Sequence, residues 1–196
     1  MKYGLLRETE ELAQKDGIDK DTGTPRTGLE TYLAVIYPDI NDWVHNKGIP
    51  KEISGGSCRT RPDYRSEKLK IIIEFNGLQN YNNPEKIIDD ENKCHMYERL
   101  GYKVVSIPYF IQLTNEAVKQ LFGVDCVEPL FDGSIPSLGV KEKNSPAYLC
   151  YKGLLRMARE FRDFPEQYET NIRYLKEHDP ENFTDWKILE KLYYDM

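Results

Sequence analysis

The chain has 196 residues, of which 39% are hydrophobic, 12% aromatic and 31% charged. This length and composition are ordinary for a globular domain, and the aromatic share argues against a disordered chain. The net charge of −6 gives no sign of a nucleic-acid partner by itself, since the distribution of charge matters more than its sum. No apolar run is long enough to cross a bilayer, and the polar first residues are not those of a signal peptide. We therefore expect a cytoplasmic protein without membrane contact.

The first part of the chain is predicted to be mainly helical. Residues 1–26 predict a short helix and then a loop rich in Gly, Asp and Thr. Thr27 follows, with Glu30 three residues later, and this capping-box pattern predicts the start of a helix that Pro38 ends. Residues 43–48 predict a second short turn or helix.

Strands are predicted in the middle of the chain. The first covers residues 57–64, and the second covers residues 69–75. The second is β-branched and almost wholly apolar, which favours a central strand covered on both faces. A helix is predicted over residues 84–100, with Pro84 in its first turn, and a third strand over residues 102–107.

The C-terminal part is predicted to be helical. Helices are expected near 115–122, 146–161, 165–178 and 184–194, with a loop over 123–145. The last three helices would form either a separate helical subdomain or a layer packed over the sheet. The predicted organisation is an N-terminal helix and loop (1–26), an α/β core (27–125), a linker (126–145) and a helical C-terminal extension (146–196).

Two acidic residues stand at the ends of the first two predicted strands. Asp63 ends the first, and Glu74 lies near the end of the second. If these strands form a hairpin, both carboxylates meet at the same edge of the sheet. Their mutual repulsion would be relieved by a divalent cation, and hard oxygen ligands suit Mg²⁺ or Mn²⁺. Such an ion lowers the pKa of a bound water and neutralises charge on a phosphate, which is the chemistry of phosphodiester hydrolysis.

The residues around this pair form a longer motif. Pro62 and Asp63 are followed, after a hairpin-length gap, by the block EFNGLQNY at residues 74–81. This pattern resembles the PD-(D/E)XK nuclease superfamily, and most closely its small very-short-patch-repair-like, restriction and homing endonucleases, which often show E-x-D-G-x-Q-H-Y here. Asp90, Lys93 and the Leu-Gly-Tyr run at residues 100–102 also match the helix and turn that follow in that family. The resemblance covers roughly residues 27–110.

The resemblance implies a restriction-endonuclease-like α/β fold, a three-layer core with a mixed central β-sheet flanked by helices. The helical C-terminal extension lies outside it. It also implies a Mg²⁺-dependent (or Mn²⁺-dependent) DNA endonuclease with no small-molecule cofactor. Asp63, Glu74 and the Phe75 carbonyl would hold the metal. Catalytic roles are implied for Asp63, Glu74, Asn76, Lys93, Glu30 and Gln79, with Glu30 acting through water and Asn76 and Gln79 positioning water or phosphate.

The third motif position departs from the family. It is usually Lys or an acid, whereas this chain has Asn76, which can neither carry positive charge nor act as a base. Lys70 and Lys93 are candidates for the missing charge, and Lys93 is favoured because Lys70 lies about 13 Å back along the strand. The departure also supports an alternative function, a catalytically degenerate nuclease fold that acts as a DNA-binding or assembly module.

The helix that carries Lys93 has an informative stripe. Ile87, Asp90, Cys94 and Tyr97 lie on one face, which should turn Asp90 towards the sheet. An inward Asp90 would have a structural or catalytic role. The alternative is a surface acid that pairs with a neighbouring lysine.

Local charge supports DNA as the partner. Residues 43–70 hold seven Lys or Arg against three acids, although such a run is also typical of a solvated surface. A homodimer through the C-terminal helices, whose charge is nearly balanced, is an alternative to DNA contact there. A small α/β enzyme acting on another substrate has little support, because no phosphate-binding Gly-rich loop or nucleophile elbow is present. The residues expected to contact nucleic acid are Arg59, Arg61, Arg65 and Tyr81, with core packing as the alternative for Tyr81.

Overall fold

The computed structural model describes residues 29–56, 60–126, 131–140, 143–179 and 184–196. These residues form a mixed α/β protein with a four-stranded mixed sheet flanked by helices. The helix and loop predicted for residues 1–26, the Thr27 cap and Arg59 lie outside the described residues. The strands are β1 (Val44–His45), β2 (Tyr64–Ser66), β3 (Ile71–Asn76) and β4 (Lys103–Pro108). The helices are α1 (Leu29–Ile36), α2 (Lys51–Ser54), α3 (Gln79–Asn82), α4 (Pro84–Arg99), α5 (Asn115–Phe122), α6 (Tyr151–Phe161), α7 (Pro165–His178) and α8 (Trp186–Asp195).

The sheet has the order β1-β2-β3-β4. β2 is antiparallel to both β1 and β3, and β4 is parallel to β3. A parallel neighbour needs a crossover connection, and α4 supplies it. The central position of β3 agrees with the prediction from its apolar sequence.

Helices cover both faces of the sheet because the side chains of β3 alternate between them. Ile71 and Ile73 pack with residues of α1 and α5 in one apolar cluster, which includes Leu33. Ile72 points to the other face and packs with Tyr97 of α4. The face of Ile72 is therefore the one on which α4 can reach the sheet.

The hairpin begins later than predicted. The structure starts β2 at Tyr64, where the predicted strand ended, and Asp63 therefore precedes the strand. Pro62 has no N–H group to donate to a ladder, which is consistent with this start. The tight turn before β3 ends at Lys70, whose φ of 53° is left-handed, so β3 begins at Ile71.

Two short elements also differ from the prediction. The segment predicted as a turn or helix at 43–48 contains β1, which pairs with β2 through Val44 and Arg65. No element was predicted for the single helical turn α2, which Gly55 caps with a left-handed φ of 60°. Both segments are too short for a periodic pattern to distinguish a strand from a helix.

The ends of α4 follow local capping chemistry. The side chain of Asn83 accepts hydrogen bonds from the backbone amides of Glu85 and Lys86, and Pro84 occupies the first helical position. Gly101 follows the helix with a left-handed φ of 85°. The predicted helix at 84–100 is confirmed within one residue.

The C-terminal helices share an apolar core with the α/β part. Tyr81 and Phe110 lie in one buried cluster with Met157 and Phe161 of α6. A 3₁₀ turn at Pro146–Tyr148 precedes α6, so the helix predicted at 146–161 is divided. These helices therefore pack as a layer on the α/β part. Among the helices of the described segments, none is long and apolar enough to cross a membrane.

Buried hydrogen bonds hold the loop before α6 against α7. The side-chain oxygen of Asn171 accepts from the backbone amides of Ser137 (2.9 Å) and Leu138 (2.7 Å). Gln167, one turn earlier on α7, accepts from the Gln112 amide (2.7 Å) and donates to its carbonyl (3.0 Å). The attachment of the C-terminal layer is therefore polar as well as apolar.

Candidate functional site

The β2–β3 hairpin brings Asp63 and Glu74 together. Tyr64 pairs with Ile73, so the next step of the antiparallel register sets Asp63 opposite Glu74 with both side chains on one face. The backbone amide of Phe75 donates a hydrogen bond of 2.7 Å to Asp63 Oδ2. This bond ties the residue before β2 to the end of β3, so both carboxylates lie at the same end of the hairpin.

Burial makes the charge on Glu74 costly. Its side chain is 6% exposed. Desolvation, followed by the nearby Asp63 carboxylate, raises the pKa of Glu74 to about 7, although Lys93 and the Tyr97 hydroxyl oppose the shift. Its Oε1 atom is buried and has no partner within hydrogen-bonding distance among the described residues. Glu74 Oε1 can therefore still bind a cation or accept a hydrogen bond.

Asp63 is also perturbed. Burial raises the pKa of its carboxyl group, whereas the Phe75 amide and the positive charge of Lys93 act in the opposite direction. His45, which the sequence gave no reason to place near a site, is buried and also favours the charged form of Asp63. Two carboxyl groups with raised pKa values at one hairpin end form a candidate functional site.

Lys93 reaches this pair from α4. Its Nζ lies 3.0 Å from Glu74 Oε2 and 3.7 Å from Asp90 Oδ1. Burial opposes its charge, yet the surrounding carboxylates raise the pKa of Lys93, so the ammonium group stays protonated. The other candidate, Lys70, is exposed and pairs with Glu67 at 2.8 Å. The structure therefore brings Lys93, and not Lys70, to Glu74.

Asn76 ends β3 on the same face as Glu74, two residues further on. Its backbone carbonyl accepts a hydrogen bond of 2.9 Å from the Tyr109 amide. The side chain is buried, and its Nδ2 has no hydrogen-bond partner among the described residues. A buried amide that can still donate is therefore present beside the acidic pair.

Asp90 joins the site to the C-terminal helices. Its Oδ2 accepts a hydrogen bond of 2.6 Å from Asn80 and lies 3.7 Å from Nη1 of Arg156 on α6. Ile87 and Tyr97 are fully buried, which confirms the predicted stripe and the inward direction of Asp90. Arg156 was missed because it lies far along the chain. A glycine inside α6, Gly153, was the one local sign of a close helix approach there.

Other predicted catalytic residues lie elsewhere. Glu30 is in the first turn of α1, and this helix packs on the sheet face opposite to that of Glu74. Gln79 begins α3, is exposed, and accepts a hydrogen bond of 3.3 Å from Lys86. The structure does not gather these two side chains with the carboxylate pair, and their catalytic roles stay predictions.

Two of the residues predicted to contact nucleic acid are buried. Arg65 is 4% exposed, and its guanidinium pairs with Glu67. Tyr81 is fully buried, and its hydroxyl donates to Glu160 at 2.7 Å. Both side chains have partners inside the protein, which favours the alternative of core packing for Tyr81, and the contact of Arg65 and Tyr81 with DNA stays a prediction. Arg61 is exposed.

The oxygen atoms of the acidic pair are ligands of the kind that a hard divalent cation prefers. No group of three or more His, Cys, Asp or Glu side chains suited to a metal occurs among the described residues. Mg²⁺, however, is commonly held by one or two carboxylates, with waters and substrate phosphates completing its shell. Asp63, Glu74 and the Phe75 carbonyl provide such a set, and the buried Glu74 Oε1 lacks a partner. The residues therefore fit a hard divalent cation.

Comparison of the chain with protein-family models, with curated proteins and with solved structures gave no significant match. The fold class alone does not define an activity, because unrelated functions share mixed α/β folds. What the protein does has to follow from the chemistry of the acidic pair, Lys93 and Asn76.

Proposed function

We propose that the protein is a Mg²⁺-dependent endonuclease that hydrolyses DNA phosphodiester bonds on a restriction-endonuclease-like core of the PD-(D/E)XK type. One observation carries the proposal: Lys93 Nζ lies 3.0 Å from the carboxylate of Glu74, which stands opposite Asp63 at the end of the hairpin. Two carboxylates and a lysine at one strand end supply what phosphodiester hydrolysis needs. The lysine comes from α4, while the third motif position is Asn76.

Asp63, Glu74 and the Phe75 carbonyl would hold the cation. When bound, Mg²⁺ lowers the pKa of water and neutralises charge on the phosphate. The high pKa of Glu74 supports this role, since a ligand cation would offset the desolvation and the repulsion from Asp63 that raise it. A partly buried site also strengthens electrostatic interactions with the phosphate.

Lys93 and Asn76 would act on the substrate directly. Lys93 stays protonated, so its ammonium group can donate to a phosphate oxygen and stabilise the negative charge that develops there. Asn76 can donate its free Nδ2–H to a phosphate oxygen or to the attacking water. The exposed Arg61 would contact the DNA backbone.

A non-catalytic DNA-binding or assembly module is the second candidate. Two observations favour it. Asn76 replaces the usual charged residue, and the contact with Lys93 already neutralises Glu74 without a metal. In such a protein the carboxylates and the lysine would form a structural ion pair.

The test is cleavage of supercoiled plasmid DNA with Mg²⁺ or Mn²⁺ and with EDTA. Asp63→Asn, Glu74→Gln and Lys93→Met each keep the approximate shape and remove one charge. Removal of Lys93 should lower the rate about 100- to 1000-fold, because a preorganised electrostatic contact is lost. The two carboxylate variants should lose metal-dependent cutting. Asp89→Asn and Lys70→Met, which change exposed side chains of the same types, should cut as the unchanged protein does.

The outcomes separate the two candidates. Metal-dependent cutting that both carboxylate variants abolish supports the endonuclease. Gel-shift binding of the plasmid without cutting supports the module. A protein that neither binds nor cuts the plasmid contradicts both the endonuclease and a DNA-binding module. Mn²⁺ titration calorimetry on the same variants shows whether the acidic pair holds a cation at all.

A further inference from the structure

Arg156 of α6 links the C-terminal helices to the candidate site. Its side chain is 15% exposed and ends in contacts of two kinds. On one side Nε donates to Glu160 at 2.9 Å, and the guanidinium lies over the ring of Tyr81, 4.8 Å from its centroid. On the other side Nη1 donates to the Asn80 carbonyl at 3.3 Å and lies 3.7 Å from Asp90 Oδ2. The guanidinium therefore stands between the C-terminal core and the acid beside Lys93.

Two carboxylates compete for Lys93. Asp90 precedes it by three residues on α4, the spacing at which acid and base ordinarily pair on a helix. In the structure, however, Lys93 hydrogen-bonds to Glu74 at 3.0 Å and stays 3.7 Å from Asp90. Asn80 and Arg156 occupy the far oxygen of Asp90, Oδ2, while Lys93 faces Oδ1.

We propose that Arg156 is a positioning residue of the site. Its guanidinium balances and holds Asp90, so that this carboxylate does not draw Lys93 away from Glu74. The inference rests on the proposed function, because it assigns Lys93 its catalytic orientation. It also gives the C-terminal helices a role in the reaction, since they supply the charge that completes the site.

The attachment of α6 sets where Arg156 stands. The Cys150 amide donates to the Tyr81 carbonyl at 3.2 Å, and Gly153 lies directly against that same carbonyl. Arg156 follows Gly153 by three residues, on the same side of the helix. The close approach therefore delivers the guanidinium to Asn80 and Asp90 without a flexible connection.

Removing the charge of Arg156 should slow cleavage. In Arg156→Gln, Asp90 lacks its counter-charge and attracts Lys93, so kcat should fall about 10- to 100-fold, as is typical when an outer partner of a site is lost. KM should change little, because Arg156 does not touch the substrate. Arg156→Lys should recover part of the rate, since it keeps the charge but not the planar fork.

The matched control is Glu160→Gln. It removes the charge of the other partner of the same guanidinium, keeps a side-chain oxygen that can accept from Arg156 Nε, and leaves the contact with Asp90 in place. Its kcat should equal that of the unchanged protein. A loss in Glu160→Gln as large as that in Arg156→Gln would mean that Arg156 acts only through the packing of α6, and would overturn the proposal.

A second substitution gives a signature that a structural role would not produce. In the double variant Arg156→Gln/Asp90→Asn the competing carboxylate has lost its charge, so Lys93 should return to Glu74. The double variant should cut DNA faster than Arg156→Gln alone. An equal or slower rate contradicts positioning through Asp90.

A stability measurement tests the same linkage without nuclease activity. Urea unfolding of the Arg156→Gln and Lys93→Met variants and of their double variant forms a cycle. Because both cations act on Asp90, the effects of the two substitutions on the free energy of unfolding should not be additive. The departure from additivity should correspond to at least about a twofold change in the unfolding constant. The departure should vanish when Asp90→Asn is present in all four proteins. If the unchanged protein does not cut DNA, the proposed function fails while this cycle still decides on Arg156, and additivity with Asp90 intact would overturn the inference.

Discussion

The Glu74 side chain is buried and lies beside an acidic residue, Asp63, and a basic residue, Lys93. Its pKa of about 7 lies well above the ordinary value of 4.5. Between these two pH values the folded protein retains a proton that the unfolded chain has lost, so the stability of the metal-free protein falls as pH rises through this window. The full decrease is about 3 kcal/mol, the equivalent of the pKa difference.

The Glu74→Gln variant should remove this dependence. A neutral amide of similar shape cannot ionise, so the free energy of unfolding in EDTA should fall less steeply between pH 4.5 and pH 7 than in the unchanged protein. At pH 8 the variant should be the more stable protein. Urea unfolding at a series of pH values measures both effects. Glu91→Gln, an exposed glutamate on α4, is the control and should keep the original slope. Equal slopes for the Glu74→Gln variant and the unchanged protein would show that Glu74 titrates normally.

At the scale of single elements, the packing of α6 against α3 depends on Gly153. A Cβ atom on Gly153 would lie 1.7 Å from the carbonyl oxygen of Tyr81 and 2.6 Å from its carbonyl carbon. Both contacts are with backbone, which cannot rotate away as a side chain can. Glycine is therefore required at this position by the distance between α6 and α3.

Gly153→Ala should destabilise the protein although alanine is the better helix former. Helix propensity alone would add about 1 kcal/mol of stability. Overpacking against a backbone group should outweigh it, with a net loss of about 1–3 kcal/mol in urea unfolding. Cleavage should fall as well, because α6 carries Arg156.

Arg159→Ala is the control for this helix, since Arg159 is exposed on α6. Its stability should change little. A gain of stability in Gly153→Ala would contradict the close packing of α6 against α3.

At the scale of the whole molecule, the α/β part and the C-terminal helices are joined by one core. Phe110 and Ile111, just after β4, are fully buried in the same cluster as Phe161 of α6 and Leu189 of α8. Loss of the C-terminal layer would expose this apolar surface to water, with the corresponding loss of hydrophobic stabilisation.

A chain that ends after Asn144 should therefore not fold cooperatively. It should bind a hydrophobic dye and show a broad urea transition, whereas the full chain should show a sharp one. Circular dichroism and dye fluorescence across a urea series measure the difference. A truncated chain with a sharp transition would show instead that the C-terminal helices are a separate folding unit.

Local preferences determined much of this fold. The run of three isoleucines predicted the central strand β3, and Asn83, Pro84 and Gly101 set the ends of α4. The same information placed Asp63 and Glu74 at one end of a hairpin and Lys93 on the helix beside them. These features depend on residues close in sequence, whose conformational preferences act wherever the chain is placed.

Only the tertiary structure decided which side chains remain accessible and what surrounds the acidic pair. Arg65 and Tyr81 belong to patterns that favour DNA contact, yet neighbouring elements bury both. Arg156 reaches Asn80 from 76 positions further along the chain. Such contacts leave no periodic pattern, because they depend on the distance between packed helices, which at Gly153 is set by backbone against backbone.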